Sequence, residues 1–215
     1  LWSSNNQKLF INMIENLNSK LDSHKDLTDE EMIHAMNLMM EGEIEQHLIE
    51  HFLLGLNKKG ITVREISSAA KVMREKSLKF DLKDSNIIDT CGTGGTGLHI
   101  FNCSTASAIV ATAAGAKVSK HGNRGISSKS GSADFLVEAG ANINHEREQL
   151  AEIFNKVGFV FLFAPLHHLS MKHVMPARQN LATKTIFNLL GPHTNPSNAK
   201  KQIIGVYEKS LGEQF

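Results

Sequence analysis

Two polar segments of this chain contain the residue types that bind phosphate groups. The first is the glycine-rich run at residues 92–97, GTGGTG, which we predict to lie between a strand and a helix. Glycine lets backbone N–H groups approach an anion closely, and the start of the following helix adds a partial positive charge. Alone the run is a weak signal, because many strand-to-helix turns need glycine for packing. It matches neither the dinucleotide-binding fingerprint nor the P-loop, which requires a lysine after the last glycine.

The second polar segment follows one strand–helix unit later, at residues 120–132, KHGNRGISSKSGS. Cations and hydroxyls are both frequent in it, and together they suit a phosphate ester. These side chains are Lys120, Arg124, Lys129, Ser127, Ser128, Ser130 and Ser132. A single segment of this kind is more often a solvated loop. Two of them in successive strand-to-helix turns, where α/β proteins bind their ligands, favour a binding site instead.

The start of the helix between the two segments is open to two interpretations. Asn102 and Ser104 are residue types that cap helices, and a purely structural role would explain both. Their amide and hydroxyl groups would equally suit a diphosphate or its metal ion.

The elements that must position these segments differ between the two parts of the chain. Apolar residues at helical spacing predict four helices before residue 78, and the cap pairs Thr28–Glu31 and Thr62–Glu65 mark two helix starts. A methionine stripe in the second helix is expected to fill the core. Beyond residue 78, strands alternate with helices, which favours a parallel sheet covered by helices. The predicted strands are 86–89, 117–119, 159–163 and 203–207, and the predicted helices are 104–115, 133–139, 147–157 and a stretch over 170–190 broken at Pro176.

The fold class is therefore α/β, with a small N-terminal helical domain at 1–78 and a larger α/β domain with a parallel sheet at 79–215.

Composition argues against several other classes of protein. The 215 residues include 23 basic and 22 acidic side chains, a net charge of +1, so any anion site must be local and neither nucleic acid nor a membrane is expected as a partner. Cys91 and Cys103 are too few and too irregularly spaced for a metal cage or a disulfide framework. No secretory signal or apolar run of about 20 residues is recognised, and we expect a cytoplasmic protein. The histidines near residue 170 lack the spacing of a zinc site, and packing is the expected role.

Six ordered blocks of the sequence resemble a known enzyme family. They read DTCGTGGTG, FNCSTASA, KHGNRGISSKSGSAD, FLFAP, MPARQNL and TIFNLLGPHTNP. In order and spacing they are similar to blocks of the anthranilate phosphoribosyltransferases of tryptophan biosynthesis. The resemblance runs from about Asp89 to Tyr207. It implies the fold of the type II nucleoside phosphorylases, in which residues 168–190 pack with the helical domain, and a homodimer formed through the helical part.

The resemblance also implies where the substrates bind. The positions that match the family's contacts with 5-phosphoribosyl diphosphate (PRPP) are Gly92, Gly95, Thr96, Asn102, Ser104, Thr105, Lys120, His121, Gly122, Asn123, Arg124, Ser127, Ser128 and Ser132. Ser104 would also bind Mg²⁺, the implied cofactor. Anthranilate would contact Gly92 and Asn123, and Arg178 would face its carboxylate, although an arginine on a surface helix is the ordinary alternative.

The implied reaction is displacement of diphosphate from C1 of the ribose by the amine of anthranilate. An aromatic amine is unprotonated at neutral pH, so no strong general base is needed, and positioning with charge stabilisation would supply the catalysis. Lys120 and Arg124 are favoured to hold phosphates. Two alternatives remain: a homologue with another carboxylate-bearing acceptor, and a non-catalytic descendant that binds an anion or nucleic acid. The near-zero net charge makes the second weaker.

Three features depart from the family pattern. Thr96 stands where the family has an aspartate, and Ile100 stands where it has a hydroxyl residue. The family's Asp-Glu pair, which holds a second Mg²⁺, has no counterpart up to Phe215, and we expect that further residues follow in the natural protein.

We predict that Thr96 and Ile100 weaken the PRPP site by loosening the first segment. A missing carboxylate lowers repulsion, but it also removes an acceptor that fixes the loop, and Ile100 forfeits a hydrogen bond of about 0.5–1.5 kcal/mol. The double variant Thr96→Asp, Ile100→Thr, made in the longest natural form, should raise turnover at limiting PRPP. Steady-state kinetics that show unchanged or lower turnover would indicate a loop rebuilt around a different ligand, and would favour both the homologue with another acceptor and the non-catalytic descendant.

Overall fold

The computed structural model describes residues 4–94, 101–125, 130–213 and 215, and these form two units. The helical unit contains Leu1–Lys76 and Leu169–Leu190. The α/β unit contains Ser77–His168 and Gly191–Glu213. Four of the predicted site residues lie outside the described residues, namely Gly95, Thr96, Ser127 and Ser128, and so do Ile100 and Lys129.

The helical unit is built from four long helices and several short ones. They are α1 (Ser4–Asp22), α2 (Asp29–Glu41), α3 (Gln46–Lys59) and α4 (Val63–Lys76), followed later in the chain by a 3₁₀ turn (Leu169–His173), α9 (Met175–Leu181) and α10 (Ile186–Leu190). The predicted capping box of α2 is present, because the Thr28 side chain accepts from the Glu31 backbone N–H and the Glu31 carboxylate accepts from the Thr28 N–H. Met32, Met36 and Met39 are fully buried, so the methionine stripe fills the core as predicted.

A buried ion pair ties α4 to its neighbours in the helical unit. The Glu65 carboxylate is fully buried and accepts hydrogen bonds from the backbone N–H groups of Leu27 and Thr62, at 3.0 and 2.9 Å. Lys59 Nζ lies 3.0 Å from the Glu65 carboxylate, and only 2% of the Lys59 side chain is exposed. A buried carboxylate is tolerated when its lone pairs are satisfied in this way.

The α/β unit contains a four-stranded parallel sheet. Its strands are β1 (Ile88–Gly92), β2 (Val118–Gly122), β3 (Phe159–Phe163) and β4 (Lys201–Gly205), in the spatial order β3-β2-β1-β4. Its helices are α5 (Cys103–Ala113), α6 (Ser132–Glu138), α7 (Arg147–Val157), α8 (Ala164–His167) and α11 (Lys209–Gly212), with a 3₁₀ turn at Gly191–Thr194. The predicted α/β class with a parallel sheet is confirmed.

Helices cover this sheet on both faces. On one face, the Thr90 hydroxyl donates to the Ser104 carbonyl of α5 at 2.7 Å, and Phe161 packs against α6. On the other face, Val160 and Leu162 pack against Leu150 and Phe154 of α7. Because side chains alternate along a strand, this arrangement assigns neighbouring residues of β1 and β2 to opposite faces.

Two predicted boundaries are wrong in a way that matters for the site. The strand predicted to end at Asp89 continues to Gly92, because Cys91 and Gly92 pair with Ile204 and Gly205 of β4. The strand predicted to end at Ser119 continues to Gly122, because its last residues pair with β3. Lys120 and His121 are therefore strand residues and not loop residues. The polar residues at the ends of β1 and β2 look like loop residues in the sequence, so both strands were predicted too short.

The helical stretch over 170–190 is interrupted beside Pro176, as predicted: the 3₁₀ turn ends at His173 and α9 begins at Met175. Pro176 lies in the first turn of α9, where its missing N–H costs no helical hydrogen bond. Among the described helices, none is long and apolar enough to cross a membrane.

We predict that Glu65→Ala lowers the free energy of unfolding by about 3–5 kcal/mol, because it removes the acceptor of the buried Leu27 N–H and one of the two carboxylates paired with Lys59, leaving only the largely exposed Asp26. Urea unfolding followed by circular dichroism would measure this change. Glu152→Ala is the matched control, since Glu152 pairs with Lys156 while both side chains are more than 70% exposed. A loss below about 1 kcal/mol for Glu65→Ala would contradict the assigned role of the pair.

Candidate anion-binding site

The ammonium group of Lys120 connects β1, β2 and α5. Lys120 lies on β2 and is 1% exposed. Its Nζ donates to the Thr90 carbonyl of β1 and to Ser104 Oγ of α5, the second contact at 3.2 Å. Burial lowers the pKa of Lys120, while the neighbouring Cys91 and Asp89 act in the opposite direction. The structure therefore places a buried cation at the N-terminus of α5.

The first turn of α5 is organised by Asn102. Its Oδ1 accepts from the Thr105 backbone N–H at 3.2 Å and from the Ser104 hydroxyl at 3.3 Å, so Asn102 acts as the helix cap. Ser104 is half-buried and its hydroxyl remains in contact with Lys120. The Thr105 side chain is fully buried, and the described structure shows no hydrogen-bond partner for its hydroxyl. Of the predicted residues in this turn, Asn102 and Ser104 are the ones with solvent-accessible surface.

The end of β1 opens the first predicted segment. Gly92 is exposed and pairs with Gly205, and the Thr93 N–H donates to the Gly205 carbonyl at 2.9 Å. Gly94 has φ +66°, a left-handed conformation that favours glycine. Since β1 and β2 are parallel neighbours, Gly92 and Gly122 terminate their strands at the same edge of the sheet. The two predicted segments therefore begin side by side.

Arg124 is the exposed cation in the described part of the second segment. The Arg124 side chain is 56% exposed, and its Nη1 lies 3.1 Å from Asp134 Oδ1. Its guanidinium also lies over the Phe163 ring, 6.0 Å from the centroid. Asn123 is exposed and its Oδ1 accepts from the Arg124 backbone N–H, while Ser132 is half-buried at the start of α6. These residues are oriented by local contacts before any ligand is considered.

His121 faces away from this side of the sheet. Lys120 contacts α5, so the next residue of β2 points to the opposite face. There the His121 ring lies 5.1 Å from the His168 ring, centroid to centroid, and both histidines are buried. The His121 backbone N–H donates to the buried Asp89 carboxylate at 3.3 Å. The structure thus separates the imidazole of His121 from the cluster around Lys120.

Burial is the main cause of unusual proton affinities on this opposite face. It lowers the pKa of His168 to about 4, with the neighbouring His167 and Lys79 acting in the same direction and a backbone group of Thr194 opposing them. Burial also depresses the pKa of His121, and His168, His167 and Lys120 add to the effect, against a backbone group of Gly191. The histidine pair is therefore neutral at physiological pH.

Arg178 belongs to the helical unit, on α9. Its guanidinium lies over the Phe187 ring at 5.4 Å from the centroid, and burial lowers the pKa of Arg178. Within the described parts of the chain, Arg178 forms no ion pair with a carboxylate. A half-buried guanidinium of this kind is suited to a ligand carboxylate.

Sequence reasoning missed Asp134. The Asp134 carboxylate accepts from the backbone N–H groups of Gly125 and Gly131, both at 2.8 Å, in addition to Arg124. A signal was available, because an acidic residue in the first turn of a predicted helix often accepts from the backbone that precedes it.

The donor set around Ser104 fits a Mg²⁺ ion only when a phosphate ligand accompanies it. Ser104 Oγ and Asn102 Oδ1 are oxygen atoms that could bind the ion, but Lys120 Nζ lies 3.2 Å from Ser104 Oγ. Among the described residues, no group of three or more His, Cys, Asp or Glu side chains could hold a metal. Mg²⁺ typically keeps waters and binds through substrate phosphates, whose negative charge would offset the ammonium.

Comparison with known proteins gives matches over both parts of the chain. Residues 84–215 match the model "Glycosyl transferase family, a/b domain", and residues 15–77 match "Glycosyl transferase family, helical bundle domain". Among curated relatives, the anthranilate phosphoribosyltransferase of Hahella chejuensis is 49% identical over 193 residues, covering 90% of this chain and 56% of the relative. This chain thus spans a little more than half the length of the curated relatives it matches.

Solved structures give the same picture. Anthranilate phosphoribosyltransferase from Thermus thermophilus aligns with a TM-score of 0.84 at 37% identity, covering 91% of this chain and 59% of that one. The enzyme from Saccharomyces cerevisiae in complex with PRPP and Mg aligns with a TM-score of 0.84 at 30% identity, covering 94% and 60%.

We predict that the free energy of unfolding decreases as the pH is lowered from about 6.5 towards 4. The unfolded state takes up protons below an ordinary histidine pKa of about 6.5, whereas folded His168 resists protonation down to about 4, so the stabilisation is present at neutral pH and lost in that interval. For His168, the difference in pKa between the unfolded and the folded state corresponds to about 3 kcal/mol in the free energy of unfolding.

Urea unfolding at several pH values would test this expectation. His168→Asn should flatten the pH dependence, and His34→Gln, at an exposed position, is the matched control. Equal slopes for the parent protein and His168→Asn would show that His168 does not carry the effect.

Proposed function

Because the chain belongs to the glycosyl transferase family through both its helical bundle domain and its a/b domain, we propose that it transfers the 5-phosphoribosyl group of PRPP to anthranilate and releases diphosphate. The observation that carries the proposal is the buried Lys120 ammonium in contact with Ser104, at the edge of the sheet where both polar segments start. Relatives that cover most of this chain are named for the same transfer.

In the proposed reaction, the amine nitrogen of anthranilate bonds to C1 of the ribose as the bond from C1 to the diphosphate oxygen breaks. The amine proton is lost to solvent after the bond forms, and the leaving diphosphate carries the negative charge. The residues of this chain bind, orient and stabilise charge, since the acceptor amine is already unprotonated. No side chain has to act as a strong base.

Separate residues take separate parts of PRPP. Arg124 is exposed and presents further N–H donors to a phosphate beyond the one that Asp134 uses. The backbone at Gly92 and the start of α5 would face the diphosphate, with Lys120 supplying positive charge from below. The N–H donors of a helix start suit such an anion. Mg²⁺, when bound with the substrate at Ser104, would neutralise charge on the leaving diphosphate.

Asn123 and Arg178 are proposed to orient anthranilate. The Asn123 side chain is exposed at the carboxyl end of β2, and Arg178 carries a guanidinium without a carboxylate partner among the described residues. A planar guanidinium binds a carboxylate through two parallel hydrogen bonds, which fixes both distance and direction. The Arg178→Ala variant below tests the role of Arg178.

A homodimer formed through the helical unit and a cytoplasmic location complete the proposal. Light scattering coupled to size exclusion would measure the assembly, and a monomer at micromolar concentration would refute this part.

One experiment tests the proposed transfer directly. Release of diphosphate from PRPP and Mg²⁺ is followed with and without anthranilate, on the longest natural form of the protein and on this chain. Release that depends on anthranilate supports the proposal. PRPP binding without such release would favour a different carboxylate-bearing acceptor, and the absence of PRPP binding would favour a non-catalytic homologue.

We predict that Arg178→Ala raises the KM for anthranilate about 10-fold to 150-fold, because a charge-assisted hydrogen bond contributes about 1.5–3 kcal/mol. Binding of PRPP, measured by calorimetry, should stay nearly unchanged. Arg64→Ala is the matched control, because Arg64 is also in the helical unit but is 69% exposed. Equal losses of affinity for both substrates would refute the assignment of Arg178 to the acceptor.

A further inference from the structure

The Asp134 carboxylate joins the backbone on the two sides of residues 126–129. We call these two sides, residues 123–125 and 131–133, the flanks. We infer that Asp134 is a positioning residue for PRPP, which holds the Arg124 guanidinium and the backbone of Gly125 and Gly131 in the arrangement that the substrate needs. The inference rests on the proposed function for the identity of the ligand. The hydrogen bonds of Asp134 to Arg124, Gly125 and Gly131, which we call the clasp, are a property of the α/β unit itself.

Both oxygens of Asp134 are used. Oδ2 accepts from the N–H groups of Gly125 and Gly131 at 2.8 Å each, and Oδ1 accepts from Arg124 Nη1 at 3.1 Å. Gly125 precedes and Gly131 follows residues 126–129. One side chain, fixed on α6, therefore determines where the backbone leaves the sheet edge and where it returns.

The two flanks are also in direct contact. A Cβ on Gly131 would lie 2.4–2.5 Å from backbone atoms of Asn123, Arg124 and Gly125, so only glycine permits this approach. The Ala133 N–H donates to the Asn123 carbonyl at 3.1 Å, which adds a further link between the flanks. The Asp134 carboxylate thus adds hydrogen bonds to two flanks whose backbones are already in contact.

Arg124 gains a fixed orientation from the same carboxylate. Its guanidinium is held between Asp134 and the Phe163 ring, although more than half of the side chain is exposed. An exposed arginine would otherwise lose side-chain entropy on binding an anion, and orienting it in advance reduces that loss. A guanidinium has five N–H donors, so the bond to Asp134 leaves donors for a phosphate.

Asp134 is ionised under working conditions. The N–H groups of Gly125 and Gly131, and then Arg124, hold the pKa of this carboxyl below its ordinary value. Its negative charge lies beside a site for a polyanion. Through-space electrostatics alone would therefore make Asp134 unfavourable for PRPP, and only a positioning role makes it favourable.

The opposite signs make the inference testable with Asp134→Asn. Positioning predicts that PRPP with Mg²⁺ binds about 10–100-fold more weakly to this variant, because the charge-assisted bonds that fix Arg124 and the flanks are lost. Electrostatic repulsion alone predicts equal or tighter binding. Calorimetric titration measures the affinity, and amide hydrogen exchange at Gly125 and Gly131 measures the clasp.

The matched control is Asp84→Asn. Asp84 also accepts from a backbone N–H, that of Asn86 at 2.8 Å, and pairs with Lys117 at 2.8 Å, but it precedes β1 and so lies at the other edge of the sheet. This variant should leave PRPP binding and exchange at both glycines unchanged. Asp134→Glu, which keeps the charge and displaces the carboxylate, serves if Asp134→Asn does not fold, and it should also bind PRPP more weakly.

The double variant Asp134→Asn, Arg124→Ala completes the test. If Asp134 acts through Arg124, the double variant should bind PRPP little more weakly than Arg124→Ala alone. Unchanged or tighter binding by Asp134→Asn, or unchanged exchange at Gly125 and Gly131, would overturn the inference. If the parent protein binds no PRPP, the proposed function fails and the ligand assignment fails with it, whereas faster exchange in Asp134→Asn would still support the clasp.

Discussion

The burial of one ammonium group, that of Lys120, is the constraint on which the α/β unit depends. A charge removed from water must be compensated by nearby oxygen atoms, and here the Thr90 carbonyl and the Ser104 hydroxyl supply them. This requirement fixes the distance between β1, β2 and the first turn of α5. The same turn is capped by Asn102. Lys120 Nζ therefore has two roles: it holds β1, β2 and α5 together, and it supplies positive charge at the start of α5.

Compensation of this kind recurs through the molecule. In the helical unit, the buried Glu65 carboxylate is surrounded by two backbone N–H groups and the Lys59 ammonium. In the α/β unit, Asp89 is buried on the face opposite α5, where Gln202 donates to it at 2.9 Å and burial raises the pKa of its carboxyl. The histidine pair of His121 and His168 takes the other solution, since both rings stay neutral. Each unit thus combines an apolar core with a small number of buried charged groups that have hydrogen-bond partners.

The sequence predicted the parallel sheet, the capped helices and the location of the polar segments, because these follow from local periodicity and from residue types. It did not predict the ends of β1 and β2, since strand pairing with β4 and β3 decides where a polar strand stops. It grouped Lys120 and His121 as neighbours in one loop, whereas alternation along a strand sends them to opposite faces. Asp134 was missed for a related reason: its importance comes from bonds to Gly125 and Gly131, and composition does not reveal such bonds.

The junction at Gly131 separates the length of the second segment from the fold that carries it. Because the flanks touch one another and are bonded to α6, residues inserted or deleted between them do not change the distance that the segment must span. Loop-closure entropy grows only slowly as residues are added, so insertions between the flanks cost little stability. The segment can therefore be lengthened without rebuilding the sheet.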